Sequence, residues 1–322
     1  MPKFLWTHII DYLPANAILK MIIVAKNFDK SINDNGWKRC FYGRIGDPIV
    51  IVKCRNKRID NFWYHAYYNY ICCDDLDYAF SMIDSDNNLE SRYKNIQPII
   101  YYKIFIADGE YEYNCDRGNG YTEYRFNRIE CSIDIIGSGN HDTIMIANYD
   151  YSTSIICPYY FSIKNIVLHG INFVIRRQNN NNCINGDISQ LELDNCIFRQ
   201  DNDWIYNYLV HDTKININSI DNILIHNCMF DHSQIYIDNK DANTNYPYLI
   251  NCTIKSNLFE NNDNDACINI DIDCDQLHKF GINWSSVITI TDNVMSKSNI
   301  LYRHKPRNDE ILVVDGNTTA TI

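Results

Sequence analysis

The sequence predicts a mainly β protein: a right-handed parallel β-helix over residues 100–322, preceded by a small three-helix module over residues 1–43. A helical, aromatic-rich connector over residues 44–99 joins them and supplies the N-terminal cap of the coil. Three observations lead there. An eight-residue pattern recurs six times after Ile166, at spacings of 25, 32, 29, 36 and 24 residues. The first forty or so residues change to helical periodicity. The charge divides at the same place: residues 1–70 carry eleven Lys and Arg against five Asp, about +6, whereas the whole chain of 322 residues is −11. Such a shift marks two modules with different partners.

In the helical module, Leu5, Ile9 and Leu13 recur at i, i+4 and i+8, an amphipathic stripe. Pro2 suits the first turn, where a missing N–H costs nothing, and Pro14 ends this helix or begins the next. In "NAILKMIIVAKNF", Ile18, Met21, Ile22 and Ala25 fill one face while Leu19, Ile23 and Val24 fill others. A helix apolar all round is expected to be covered all round. A third helix over Ser31–Tyr42 puts Ile32, Trp37, Phe41 and Tyr42 on its apolar side. A unit this small needs a partner surface, either the rest of the chain or a second protein.

The ordered set Met1-Pro2, Ile9, Leu13, Val24, Lys26, Asp34 and Trp37 resembles an F-box, with Met1 standing where that family's pattern begins with Leu. The resemblance covers about one-eighth of the chain. It implies docking to a Skp-type adaptor and through it to a cullin, with Pro2, Ile9, Leu13, Ile18, Val24, Lys26 and Trp37 at or beside the contact. Trp37 would be the anchor, and the basic charge suits an acidic adaptor.

In the connector, Gly46-Asp47-Pro48 reads as a turn, and "NFWYHAYYNYI" has aromatic spacing compatible with helix or strand. Its composition is that of a packed connector, since flexible linkers are polar or rich in Gly and Ser. Leu76, Ala79, Phe80 and Ile83 share one face of a short helix over Asp74–Ile83, with Asp residues at the end the helix dipole favours.

From Lys103 the period changes to that of strands. "IVLHGINF", "LELDNCIF", "ILIHNCMF", "CTIKSNLF", "ITITDNVM" and "LVVDGNTT" each place apolar residues at positions 1 and 3 and a polar turn at 4–5. Repeats of 20–50 residues signal stacked architectures. These units are too irregular for leucine-rich repeats and too short for helix pairs or propeller blades. Asn195 and Asn227 at position 5, and Asn257, Asn293 and Asn317 at position 6, suit a left-handed turn residue and a side-chain ladder between coils. "IFIADGEY" and "IDIIGSGNHDTIMI" resemble the first coils of pectin-lyase-like β-helix proteins. That resemblance implies architecture rather than activity.

The negative charge argues against nucleic acid as a partner. No secretory signal or apolar run of membrane-spanning length is visible, and the thirteen Cys lack C-x-x-C spacing, so the chain reads as intracellular, without structural disulfides, metal or cofactor. Heavy use of Asn, Ile, Tyr, Asp and Lys is that of an AT-rich genome, such as those of large DNA viruses with F-box proteins. Alternation with Ile268, Ile270 and Ile272 places Asp271, Asp273 and Asp275 on one outward face, a ligand or calcium face at most. Catalytic residues are not expected, because the Gly-His-Gly and Arg-x-Lys of β-helix hydrolases occur only as isolated fragments such as His169-Gly170, and the Asp271–Asp275 run reads as a solvated face of an acidic protein. The functional expectation is a ubiquitin-ligase receptor whose β-helix binds an unidentified target protein. The alternative is a carbohydrate-active or carbohydrate-binding β-helix whose N-terminal helices are only a cap. A third reading stacks coils end to end through "EILVVDGNTTATI", which carries no polar cap.

Overall fold

The structure, a computed structural model, describes residues 9–25, 28–44, 46–54, 61–90, 100–113, 121–125, 131–139, 143–147, 152–156, 160–169, 172–176, 190–199, 213–218, 222–238, 251–260, 266–271, 287–295, 299–302 and 311–319. It is mainly β, with parallel pairing dominant and, among the described residues, helices confined to the first ninety.

Three sheets are built in rotation, every third strand joining the same sheet. The first sheet begins with β1 (Ile49–Cys54), β2 (Ile71–Cys73) and β3 (Ile100–Ile106) and continues through β6 (Cys131–Ile136), β9 (Tyr160–Lys164) and β12 (Gln190–Asp194). It ends with β15 (Asn222–His226), β18 (Asn251–Lys255), β21 (Val287–Thr291) and β24 (Ile311–Asp315). The second holds β4 (Gly109–Tyr113), β7 (Thr143–Ala147), β10 (Val167–His169), β13 (Ile197–Arg199), β16 (Met229–Asp231), β19 (Leu258–Glu260), β22 (Val294–Met295) and β25 (Thr318–Thr319). The third holds β5 (Tyr121–Arg125), β8 (Ser152–Ile156), β11 (Asn172–Arg176), β14 (Thr213–Asn218), β17 (Ser233–Asp238), β20 (Ala266–Asp271) and β23 (Asn299–Tyr302). Among the described strands, only β1 pairs antiparallel, with β2 and β3. The result is a β-helix-like coil.

The period of two explains the inside of the coil. Position 1 (Leu191, Ile223, Cys252, Ile288) and position 3 (Leu193, Ile225, Ile254, Ile290) stack in register, and all are buried. Position 8 adds a column of rings: Phe198, Phe230 and Phe259 lie face to face at 4.9 and 4.8 Å. Ile215, Ile235 and Ile268 continue the column of the third sheet. One sequence assignment changes. Leu191 pairs with Phe161 and Leu193 with Ile163, so the first octad starts at Phe161, not Ile166. Ile166 instead occupies the turn position equivalent to Cys196. An apolar residue in the turn looks the same in sequence as one at position 1.

The two sets of Asn do different work at the corner between the first and second sheets. Position 5 is the left-handed residue: φ is 59° at Asn165, 51° at Asn195, 55° at Asn227, 55° at Ser256, 56° at Asp292 and 65° at Gly316. Asn, Asp and Gly tolerate this conformation because other side chains crowd the carbonyl there. Position 6 turns its backbone N–H along the coil axis, where no strand partner exists. The next coil's side chain supplies the acceptor: Asn257 N donates to Asn293 Oδ1 at 3.0 Å and Asn293 N to Asn317 Oδ1 at 3.0 Å. Each Asn amide then donates inward, Asn293 Nδ2 to Ile254 O at 3.0 Å and Asn317 Nδ2 to Ile290 O at 2.8 Å. Where Cys228 holds the position, its backbone N–H still donates to the next coil, to Asn257 Oδ1 at 2.9 Å, while its thiol donates to His226 O at 3.2 Å.

One end of the coil is closed. Leu76, Ala79, Phe80 and Ile83 of the helix Leu76–Glu90 pack into the same core as Ile49, Ile104 and Ile133. Asp75 caps that helix, its Oδ1 accepting from Tyr78 N at 2.6 Å. The connector "NFWYHAYYNYI" resolves into a helix over Phe62–Tyr68 followed by β2.

Candidate functional site

Among the described residues, four helices precede the complete coils: α1 (Ala15–Val24), α2 (Asp34–Arg44), α3 (Phe62–Tyr68) and α4 (Leu76–Glu90), with a helical turn at 9–12 and a 3-10 turn at Phe28–Ser31. The N-terminal helices fold around their own core of Ile10, Ile18, Phe28, Ile32, Trp37 and Cys40. Burial pushes the Cys40 thiol up to about 11, against the opposing pull of Arg39, so it behaves as a small apolar residue. Arg39 stitches the turn at 9–12 to α2, its guanidinium donating to Asp11 O at 3.0 Å and to Ile10 O.

This module does not hang free of the coil. Phe41 of α2 and Phe62 and Ala66 of α3 pack on Val50, Val52 and Phe105, which point outward from β1 and β3. Phe41 and Trp63 lie 5.0 and 5.4 Å from the Phe105 ring. Asp34 Oδ1 accepts from Trp63 N at 3.0 Å, fixing α2 to α3.

The sequence-predicted contact residues therefore divide. Trp37 is 2% exposed, enclosed by Tyr64, Tyr67 and Tyr68 at 5.1, 5.1 and 5.7 Å, and Ile18 is fully buried beside it. Leu13 is half-buried. Ile9 is 37% exposed and Val24 84% exposed. Pro2 and Lys26 lie outside the described residues. Two residues outside the expected contact set are as open or more so: Tyr12 at 88% and Ile23 at 84%. The expectation that α1 is covered on every side holds within this chain for its inner face only.

A second concentration of polar groups lies on the outer face of the first sheet, just beyond the roof that α3 makes. Register sets Lys103, Asp134, Ser162 and Glu192 in one row and Lys164, Asp194, His226 and Lys255 in the next. Lys103 Nζ sits 3.2 Å from Asp134 Oδ2 and 4.9 Å from the Phe62 ring centroid. Ser162 Oγ, fully buried, donates to Asp134. Further along, Tyr160 OH donates to Glu192 Oε2 at 2.6 Å and Lys164 Nζ lies 2.9 Å from Glu192 Oε1. His226 stands between two carboxylates, Nε2 3.5 Å from Glu192 Oε1 and Nδ1 3.2 Å from Asp194 Oδ1. Asn227 Nδ2 lies 2.9 Å from the same Nδ1 and 3.2 Å from Asp194 Oδ1. Burial pushes Glu192 toward protonation, but hydrogen bonds from Tyr160 and Lys164 together with the Lys164 charge outweigh it and hold the carboxyl below its usual range. Burial first, then the nearby Asp134 and Glu192, raise Tyr160, so it remains a phenol donor.

This cluster was missed in sequence. Its signal is there once octads are aligned: "LELD" and "ILIH" put Glu192 at position 2 and Asp194 and His226 at position 4 of consecutive coils. The acidic face expected at Asp271, Asp273 and Asp275 is described only at Asp271, whose backbone pairs with Asp238 at the ends of β20 and β17; Asp273 and Asp275 lie outside the described residues. Among the described residues, no helix is long and apolar enough to cross a membrane. Comparison of the chain with protein-family models, with curated proteins and with solved structures found no match in any of the three.

Proposed function

We propose that this protein is the substrate-recognition subunit of a Skp–cullin–F-box type ubiquitin ligase, with no catalysis of its own. In this reading residues 1–43 are an F-box-like module that docks a Skp-type adaptor, and through it a cullin, inside the cell. A right-handed parallel β-helix holds the target protein. Right-handedness follows the general rule for crossovers between parallel strands.

The observation that carries the reading is the uncovered apolar set Ile9, Tyr12, Ile23 and Val24, on a module whose opposite side is already packed. Exposed apolar side chains on short helices are what a docking surface requires, each worth about 1.5–3 kcal/mol when fully buried. Pro2, Leu13 and Lys26 belong beside that surface by the family resemblance. Ile18 and Trp37 support it from beneath. The excess of Lys and Arg in the first seventy residues complements an acidic adaptor and would speed association. Because α2 and α3 pack on β1 and β3, a docked adaptor would keep a constant orientation to the coil, as proximity-driven transfer needs.

The test is a binding titration with a purified Skp-type adaptor. Wild-type protein is expected to bind stably, and Ile23→Asp/Val24→Asp to bind at least about a hundredfold more weakly with an unchanged circular dichroism spectrum. Absence of wild-type binding, or equal binding by the double variant, overturns the reading.

A further inference from the structure

We propose that Glu192, Asp194 and His226 form a binding site for one divalent transition-metal ion, zinc by its donor set, in which Lys164 is the resident counter-charge that the metal displaces. The inference is independent of the docking reading.

The backbone dictates the arrangement. Glu192 and Asp194 are two residues apart on β12 and share its outer face. His226 is the register partner of Asp194 on β15, and paired strands run about 4.8 Å apart. One donor atom from each of the three residues can be chosen so that all lie within 4.8 Å of one another. One imidazole gives an ion one nitrogen, and the edge from Nε2 to Glu192 Oε1 is 3.5 Å, which matches a tetrahedron with metal–ligand bonds of about 2.0–2.2 Å; the 3.2 Å contact of Asp194 is to the other nitrogen, Nδ1.

A second observation concerns the imidazole itself. His226 Nε2 is shielded from solvent and has no hydrogen-bond partner. It faces Glu192 Oε1 at 3.5 Å without the alignment a hydrogen bond needs. A buried ring nitrogen pointed at a carboxylate oxygen is an arrangement that a shared cation completes. Outer groups are already in place: Tyr160 holds the far oxygen of Glu192 and Asn227 bridges Nδ1 and Asp194. Such second-layer contacts orient metal ligands.

Lys164 is the competitor. Its ammonium neutralises Glu192 at 2.9 Å, yet its side chain is 26% exposed and can swing into solvent. Two carboxylates with a neutral imidazole balance a divalent ion without it. The nitrogen donor favours zinc over calcium or magnesium, which prefer six or more oxygens. Three protein donors leave a position for water or for a ligand atom.

The experiment titrates metal-stripped full-length protein with Co²⁺, followed by its visible absorption, and with Zn²⁺ by calorimetry. Expected is one ion per chain with tetrahedral cobalt bands, weakened at least about a hundredfold in His226→Gln and in Glu192→Gln. Lys164→Met is expected to bind at least about tenfold more tightly, because an ammonium no longer competes for the same oxygen. Circular dichroism identifies any variant that fails to fold, and the Lys164→Met result stands even if a ligand variant does so. Absence of stoichiometric binding by both wild type and Lys164→Met overturns the proposal. So does undiminished binding by folded His226→Gln, which would place the ion on another of the nine histidines.

Discussion

At the scale of single residues, the corners of the coil separate two uses of one amino acid. Asn293 is fully buried and its amide serves four partners: Asn257 N and Nδ2, Ile254 O and Asn317 Oδ1. Asn293→Ala strands the Asn257 N–H and the Ile254 carbonyl, at about 1–3 kcal/mol for each buried group left unpaired. Urea unfolding should show the sum, about 2–6 kcal/mol. Asn195 is chosen for its backbone, at φ 51°. Asn195→Ala should cost about 1–2 kcal/mol and Asn195→Gly clearly less, since Gly enters the left-handed region freely. Glu192 gives a pH prediction. Its folded-state carboxyl is held below the unfolded value, so its contribution is complete above the unfolded carboxylate range and disappears as pH falls through the lowered folded value. Tyr160→Phe removes one of the hydrogen bonds that hold it down. Acid unfolding of that variant, followed by tryptophan fluorescence, should begin at a higher pH than in wild type.

At the scale of elements, columns and faces carry the argument. Phe230 is flanked on both sides by stacked rings, so Phe230→Ala opens a cavity between two neighbours and should cost about 3–5 kcal/mol. The inward column was legible in the sequence because a period of two has one apolar phase and Leu191, Leu193, Ile223 and Ile225 all fall in it. The start of the first octad was not legible, since Ile166 in a turn and Phe161 in a strand are equally apolar. The helical module shows the same limit in another form. Periodicity marked α1 as apolar but could not say which side its own chain would cover. Ile18 and Trp37 went inside, Ile23 and Val24 stayed outside, and the difference arises from α2 and α3, whose packing is a tertiary fact. The Glu192, Asp194 and His226 cluster does not show along one strand, because His226 lies more than thirty residues away on the next coil, and it emerges only when the octads at Leu191 and Ile223 are set in register.

At the scale of the molecule, the helices and the coil share a boundary made of Val50, Val52, Phe105, Phe41 and Phe62. Removing residues 1–45 should leave the β signal in circular dichroism but uncover part of that boundary, so the shortened protein should self-associate on size-exclusion chromatography where the full chain does not. The closed end described above has a consequence for synthesis. The antiparallel pair of β1 with β3 and the α4 plug both precede every complete coil in chain order. The ribosome therefore releases the template before the strands that need it, and each new coil meets a finished surface about one coil back rather than a distant partner. Folding can proceed in the direction of translation, one coil at a time. For the same reason a whole coil could be gained or lost late in the chain with the helical module left where it stands, making the number of coils an adjustable length on a fixed mount.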